Sequence, residues 1–444
     1  MKLSELKLTS ALLVAFIFFA AFQLNAQEME HQVELNRPGI SSHEEIGGIH
    51  LALPGVLERA LQNDARLKEA LERLLKREAQ YRGSESQFFP KLTAETSQAF
   101  ATGDRYWLSY FDLSIEEPFF QGGKALAEKN GVKLKFEEER LRLTETKLDL
   151  KQAIQILYVE LLKEKELIRL GEEETKELRE TYRAFQNLFE TEIVPRHELI
   201  RVETLLKAAN FSLIEHKETY GYLISILKEA IGMEESVPLE LEPLTQLPEI
   251  KKSLSFYLVS ARKNDPAYRI SELQVKEKGF EKKTLEAERF PHLSLAARWN
   301  LQRDIFVDTD RAILGVVGRW NIWDFGRLSS EIKAKSHEAE EARWEALALV
   351  REKENEIRRL FHEARILKEK MKLLEASERE REELYKIEKA KLIAGEKGRR
   401  ELLASFLELQ SAKKKHLETV TEYRVLISKL ERRRGLMDFQ EEGR

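Results

Sequence analysis

The sequence predicts a mainly α protein with a small β part, arranged as an internal two-fold repeat. Three observations lead there: a motif that recurs at a fixed interval, long stretches free of helix breakers, and short alternating segments between the recurring motifs.

The interval comes first. Phe89 and Phe290, Pro90 and Pro291, and Leu92 and Leu293 each stand 201 residues apart, as do Asn63-Asp64 and Asn264-Asp265. Downstream, Phe119-Phe120-Gln121-Gly122-Gly123 is answered by Trp323-Asp324-Phe325-Gly326 at an offset of 203 or 204. A constant spacing separates duplication from coincidence of composition. The repeats are expected at 27–234 and 251–444, joined by a linker at 235–250 in which Pro238, Pro243 and Pro248 favour extended backbone.

Residues 1–26 read as a signal peptide: Lys2 and Lys7 precede an apolar run over 11–22, and Asn25-Ala26 offers a small-residue cleavage site. The run is too short for a bilayer helix, which needs roughly 20 apolar residues. With no cysteine in the chain, disulfides, thiolate metal sites and an N-terminal lipid anchor on cysteine are excluded. Charged residues make up 34% of the chain with a net charge of −4. That balance fits interleaved charges on exposed helix faces and excludes the basic footprint of a nucleic-acid binder. No later stretch has the apolar length of a membrane helix, so any membrane part has to be built of strands.

Proline breaks a helix interior at a cost of about 3 kcal/mol. None falls between Pro118 and Pro195 or after Pro291, and 328–394 contains neither proline nor glycine. As helix such a run reaches about 100 Å. Leu150 and Leu157, then Ile154, Leu161 and Ile168, and then Val350, Ile357, Ala364 and Met371, repeat every seven residues, the seam of a coiled coil. Pro195 in the first copy, and Gly395 with Gly398 in the second, supply reversals into return helices expected over 196–231 and 399–433.

Between each Phe-Pro signal and the aromatic-glycine signal lie two alternating segments. Leu293, Leu295, Ala297 and Trp299 alternate with Ser294, Ala296, Arg298 and Asn300; Leu314, Val316, Gly318 and Trp320 with Gly315, Val317, Arg319 and Asn321; and in the first copy Phe111, Leu113 and Ile115 with Asp112, Ser114 and Glu116. Alternation over about ten residues has the length and pattern of a membrane β-strand. One such segment fits a hairpin on a globular surface equally well; four of them, with no other sheet to receive them, favour membrane strands. The candidates for facing lipid are Phe111, Leu113, Leu293, Leu295, Trp299, Leu314, Val316 and Trp320; Arg298 and Arg319 are the candidates for the lumen or an interface. Four strands cannot close a barrel, since the smallest have about eight, and an open edge in lipid leaves backbone groups unpaired at several kcal/mol each. The chain is therefore expected to assemble with copies of itself.

Enzyme chemistry finds no support. There is no G-x-x-x-x-G-K-[ST] phosphate loop, and neither His197-Glu198 nor His43-Glu44-Glu45 has the H-E-x-x-H spacing of a metalloprotease. No cofactor and no metal are expected.

Taken in order, these residues resemble the TolC family of outer-membrane efflux and export proteins. The resemblance covers nearly the whole mature chain. It rests on Ala60-Leu61-Gln62-Asn63-Asp64 and Ala261-Arg262-Lys263-Asn264-Asp265, on the strand-opening Phe89-Pro90 and Phe290-Pro291, and on the strand exits with Gly122-Gly123 and Gly326. The second tip, Ile393-Ala394-Gly395 followed by Glu401-Leu402-Leu403-Ala404, completes it. It implies a homotrimer sharing one transmembrane β-barrel of four strands per chain, with helical hairpins forming a periplasmic tunnel. It also implies a periplasmic adaptor, an inner-membrane transporter and outer-membrane lipid as partners, and a passive duct for drugs, metals or polypeptides in a tripartite pump or type I secretion system. Gly395, Lys397, Arg399 and Arg400 are the adaptor-docking candidates. Family tips usually carry glycine in both copies; Ile193-Val194-Pro195 replaces it here, so no adaptor contact is carried over to the first tip. The competing reading is a non-channel periplasmic coiled-coil adaptor or structural protein, which explains the heptads but leaves the alternating segments without a purpose.

Overall fold

The computed structural model describes residues 49–101, 106–250, 252–303, 308–394 and 398–435. The expected signal peptide and His43 lie outside them. The first half runs β1 (Ile49–Leu51), α1 (Leu53–Asn63), α2 (Ala65–Ser84), a short 3-10 turn (Glu85–Phe88), β2 (Lys91–Ala101), β3 (Tyr106–Phe120), α3 (Lys124–Glu190) and α4 (Arg196–Ala230). The second runs β4 (Leu239–Leu241), α5 (Leu254–Asn264), α6 (Pro266–Ala287), β5 (His292–Arg303), β6 (Asp308–Arg319), α7 (Arg327–Ile393) and α8 (Arg399–Arg434). The order is the same in both halves. Helices α3 and α7 each hold 67 residues and begin 203 positions apart.

Two local features add to the sequence reading. The helix opening each half is broken at the Asn-Asp pair: Asp64 and Asp265 are extended (φ −61°, ψ 125° and φ −69°, ψ 119°) and recap the chain. The Asp64 carboxylate accepts from Arg66 N at 2.8 Å and that of Asp265 from Ala267 N at 3.1 Å. A carboxylate at this position satisfies an orphan N–H of the new helix. The second lies in the linker: inside 235–250, Leu239–Leu241 forms β4 and pairs in parallel with β1, Ile49 opposite Leu239 and Leu51 opposite Leu241. The Tyr158 hydroxyl, from the middle of α3, donates to Glu242 O at 2.6 Å and lies 3.3 Å from Leu51 O, fastening both strands to the helix.

The helices pack through matched apolar clusters. Val56, Ala60, Ile154, Tyr158 and Leu227 are buried together in the first half, and Tyr257, Ala261, Ile357, Phe361 and Leu430 in the second. These correspond one to one at the 201- and 203-residue intervals. Helix α3 packs on α2, α4, α6 and α8, whereas α7 packs on α6 and α8. Between α8 and α3, Arg432, only 2% exposed, reaches Asp149 at 2.5 Å, Asp265 at 3.5 Å and Glu145 at 3.6 Å. Burial works against its charge, but the hydrogen bond to Asp149 and the surrounding carboxylates raise its pKa above the ordinary arginine value.

One four-stranded antiparallel sheet has the order β2-β3-β5-β6. Its central ladder pairs Ser109 with Arg303 through Pro118 with Ser294, then shifts before Phe120 meets Leu293. Proline cannot donate to a ladder, and such irregularities are where it is tolerated.

Candidate functional site

The register sorts the strand residues onto two faces. Leu113 lies across from Ala94 and Trp299, Leu295 across from Val316, and Ala297 across from Leu314. Phe111, Leu113, Leu293, Leu295, Trp299, Leu314 and Val316 thus share one face, and Phe111 meets the Trp299 ring edge-on at 5.8 Å. Trp320 falls just past the end of β6, and its indole N–H donates to Arg289 O at 3.1 Å. The chain leaves the ladder after Arg319, and the turn into α7 follows only at Phe325–Gly326.

Arg298 and Arg319 sit on the opposite face with Glu95, Tyr110, Asp112, Glu116 and Asn300. Asp112 is nearly sealed from solvent; it accepts from Tyr110 OH at 3.0 Å and pairs with Arg298 at 3.5 Å. Ser294 Oγ donates to Glu116 at 2.6 Å, and Arg319 lies 3.8 Å from the same carboxylate. Ile313 and Val317, apolar and exposed, also lie on this face, across from Arg298 and Ser294.

At the strand openings Phe89 and Phe290 are both exposed. Each strand exit is a pair of left-handed residues: Gly122 and Gly123 (φ 60° and 87°) before α3, Phe325 and Gly326 (φ 56° and 88°) before α7. A Cβ on Gly122 would stand 2.6 Å from Ala287 O and 2.9 Å from Phe290 Cβ, so the first exit lies directly on the second half. Asp324 caps α7, accepting from Gly326 N at 3.1 Å and Leu328 N at 2.8 Å.

At the first hairpin tip, Glu192 takes a positive φ of 59° and Ile193 N donates back to Leu188 O at 2.8 Å. This closes the helix end as a glycine would, and Pro195 caps α4. At the second tip, Gly395 and Lys397 lie outside the described residues. Arg399 and Arg400 are engaged within the chain, with Glu180 at 3.8 Å and Glu198 at 3.2 Å. Their charges tie the second tip to the first hairpin, a use the sequence did not reveal. Among the described residues no group of His, Asp or Glu could hold a metal ion, and no helix is long and apolar enough to cross a membrane.

With this geometry in view, the comparisons are consistent. Residues 56–220 match the family model described as outer membrane efflux protein. The fold is similar to that of the Campylobacter jejuni CmeC outer membrane channel (18% identity, TM-score 0.76, covering 86% of this chain and 85% of that one). It is also similar to CusC, whose crystal structures concern transmembrane channel formation (13%, 0.75, covering 90% and 98%). The open state of the Neisseria gonorrhoeae MtrE outer membrane channel is a third (15%, 0.73, covering 86% and 88%). No curated protein matches the chain in sequence. Residues 56–220 thus carry the outer membrane efflux protein pattern, and the fold over most of the chain is similar to that of these outer-membrane channels.

Proposed function

We propose that the protein is the outer-membrane duct of a tripartite efflux pump or type I secretion system, working as a homotrimer and performing no chemistry of its own. It resides in the outer membrane and extends into the periplasm, with a periplasmic adaptor and an inner-membrane transporter supplying cargo and energy. The observation that carries this reading is the sheet: four strands with two open edges, one apolar and one polar face, and both exits leading directly into 67-residue helices. An open edge is untenable in lipid, and three copies would supply twelve strands. The two halves are read as copies of one unit, 27–234 and 251–444, joined through 235–250.

Mild-detergent extracts of outer membranes should yield a trimer by light scattering, and that particle should conduct ions in planar bilayers. A protein soluble without detergent would support the coiled-coil adaptor reading instead, and a monomer with its strands folded in bilayers would sink the duct. Adaptor contact is assigned to the second tip. Lys397→Glu leaves the Arg399 and Arg400 pairs in place, so it should weaken adaptor crosslinking while trimer yield holds; unchanged crosslinking would remove Lys397 from the contact.

A further inference from the structure

The polar face of the sheet is uneven. On β2 and β3 it carries Lys91, Glu95, Asp112 and Glu116, whereas on β5 and β6 it carries Arg298, Arg311 and Arg319 and, among the described residues, no carboxylate. Ile313, Gly315 and Val317 stand on this face of β6 between Arg311 and Arg319, with Arg298 directly opposite Ile313. They form an apolar strip about 14 Å long with guanidinium groups at both ends. The strip is open: Ile313 and Val317 are 58% and 36% exposed, and a Cβ on Gly315 would meet no atom of the described residues within 4 Å.

Resting on the duct proposed above, in which this face lines the lumen, we infer that the strip is a transient contact site for amphiphilic organic anions, molecules with an apolar body and a carboxylate or sulfonate group. The body lies on Ile313 and Val317, and the acid group is taken by Arg298, Arg311 or Arg319. Both apolar side chains face away from Leu314 and Val316, so they gain nothing from the lipid side. In water they contribute by burial only when something apolar comes to rest on them.

The charges decide which amphiphile that is. Arg298 pairs with Asp112 at 3.5 Å, but the pair is layered: the Asp112 side chain is 5% exposed and that of Arg298 61%. The carboxylate also accepts from the Tyr110 hydroxyl, and the guanidinium faces outward. Glu116 is likewise engaged by Ser294 Oγ at 2.6 Å as well as by Arg319. A guanidinium has five N–H donors in a plane, so one that holds a carboxylate still offers donors to a second acid. Glu95 lies three strands from β6, about 14 Å away and beyond the screening length of about 8 Å. Lys91 shares its strand and face, so a strand set beside β2 gains no net charge from it. A duct works with contacts favourable enough to hold cargo briefly and weak enough to release it. One ion pair and a short apolar contact on an open wall meet both conditions.

The chain has no cysteine, so Gly315→Cys places a single thiol in the middle of the strip. In outer membranes a water-soluble maleimide should label it, and octane-1-sulfonate below its micellar concentration should slow that labelling several-fold. Octyltrimethylammonium at the same concentration should slow it less, and methanesulfonate hardly at all. Equal slowing by the two amphiphiles, or by the two sulfonates, would overturn the strip and leave the duct standing. A Gly315→Cys variant that sizes as a trimer yet resists labelling would take this face out of the lumen and overturn the duct as well. In the same background Arg311→Gln should reduce the preference for the sulfonate, and Ile313→Ser with Val317→Ser should reduce protection by both amphiphiles. These side chains are not buried, so trimer yield should hold; unchanged protection in either variant counts against the strip.

Discussion

The two sheet exits make the same left-handed turn, yet one is Gly122-Gly123 and the other Phe325-Gly326. Positive φ costs a residue with a Cβ roughly 1–2 kcal/mol, so backbone conformation alone would select glycine at both. The difference lies in the surroundings: Gly122 is pressed onto Ala287 and Phe290, while Phe325 projects into open space. Glycine marks the place where the neighbour belongs to the same chain. At the second exit the aromatic ring, held at a strained φ, meets the Trp323 ring edge-on at 6.0 Å and is otherwise open to solvent.

The sharpest way to break that comparison is Gly122→Val. A branched side chain would collide with a backbone carbonyl that cannot rotate away and would occupy a forbidden φ; together these should cost about 3 kcal/mol or more. Chemical denaturation should register the loss, while Phe325→Ala, which keeps a single unbranched Cβ at the same φ, should change the isolated protomer little and lower trimer yield instead. Equal effects at the two exits would show that their surroundings are alike.

The sheet faces offer the next test. Leu295→Arg, on the apolar face, should impair assembly by about 2–4 kcal/mol, the cost of arginine facing lipid near the midplane. Ser294→Arg, on the polar face, should be better tolerated in membrane-insertion assays, and equal tolerance would argue against membrane strands.

Tyr158 and Phe361 extend the comparison to the helix clusters. Tyr158→Phe makes the first cluster resemble the second and leaves two strand-end carbonyls without their donor, about 1–2 kcal/mol. Burial pushes the Tyr158 hydroxyl up to about 12, with the Glu242 charge acting in the same direction. A group whose pKa is raised on folding keeps its contribution below the unfolded value and loses it as pH climbs toward the folded one. Stability should therefore fall between about pH 10 and 12, and fall less steeply in Tyr158→Phe; the slope persists in part because burial also raises Tyr268 to about 12. The smallest effect is expected at the first tip, where Glu192→Gly should relieve a strained φ and raise thermal stability by about 1 kcal/mol.

Much of this was legible because it depends on period and on prolines. The long helices follow from breaker-free runs, the two sheet faces from alternation at Leu295 and Val316, and the correspondence of halves from a constant interval. The Asn-Asp breaks were visible as repeats but not as breaks, since Asp64 fits a helix interior by composition and only its capping geometry shows otherwise. The β1–β4 pair was hidden because three-residue strands carry no periodic signal. The engagement of Arg399 and Arg400 escaped for another reason: their acidic partners lie about 200 residues away along the chain, and no local spacing reports that.

The clasp at Tyr158 has a mechanical consequence. It holds α3 34 residues from its first residue and 32 from its last, leaving an arm of about 50 Å on either side. A stiff rod fixed near its middle behaves as a balance beam: each degree of tilt moves both ends by roughly 1 Å in opposite senses. Displacement at the Glu192 turn would return, reversed, at Gly123, where helix gives way to strand without slack. Helix α7 carries Phe361 at the corresponding point, with no hydroxyl to grip a strand pair, so the two beams pivot on unlike bearings and a shared push at the tips would tilt them unequally.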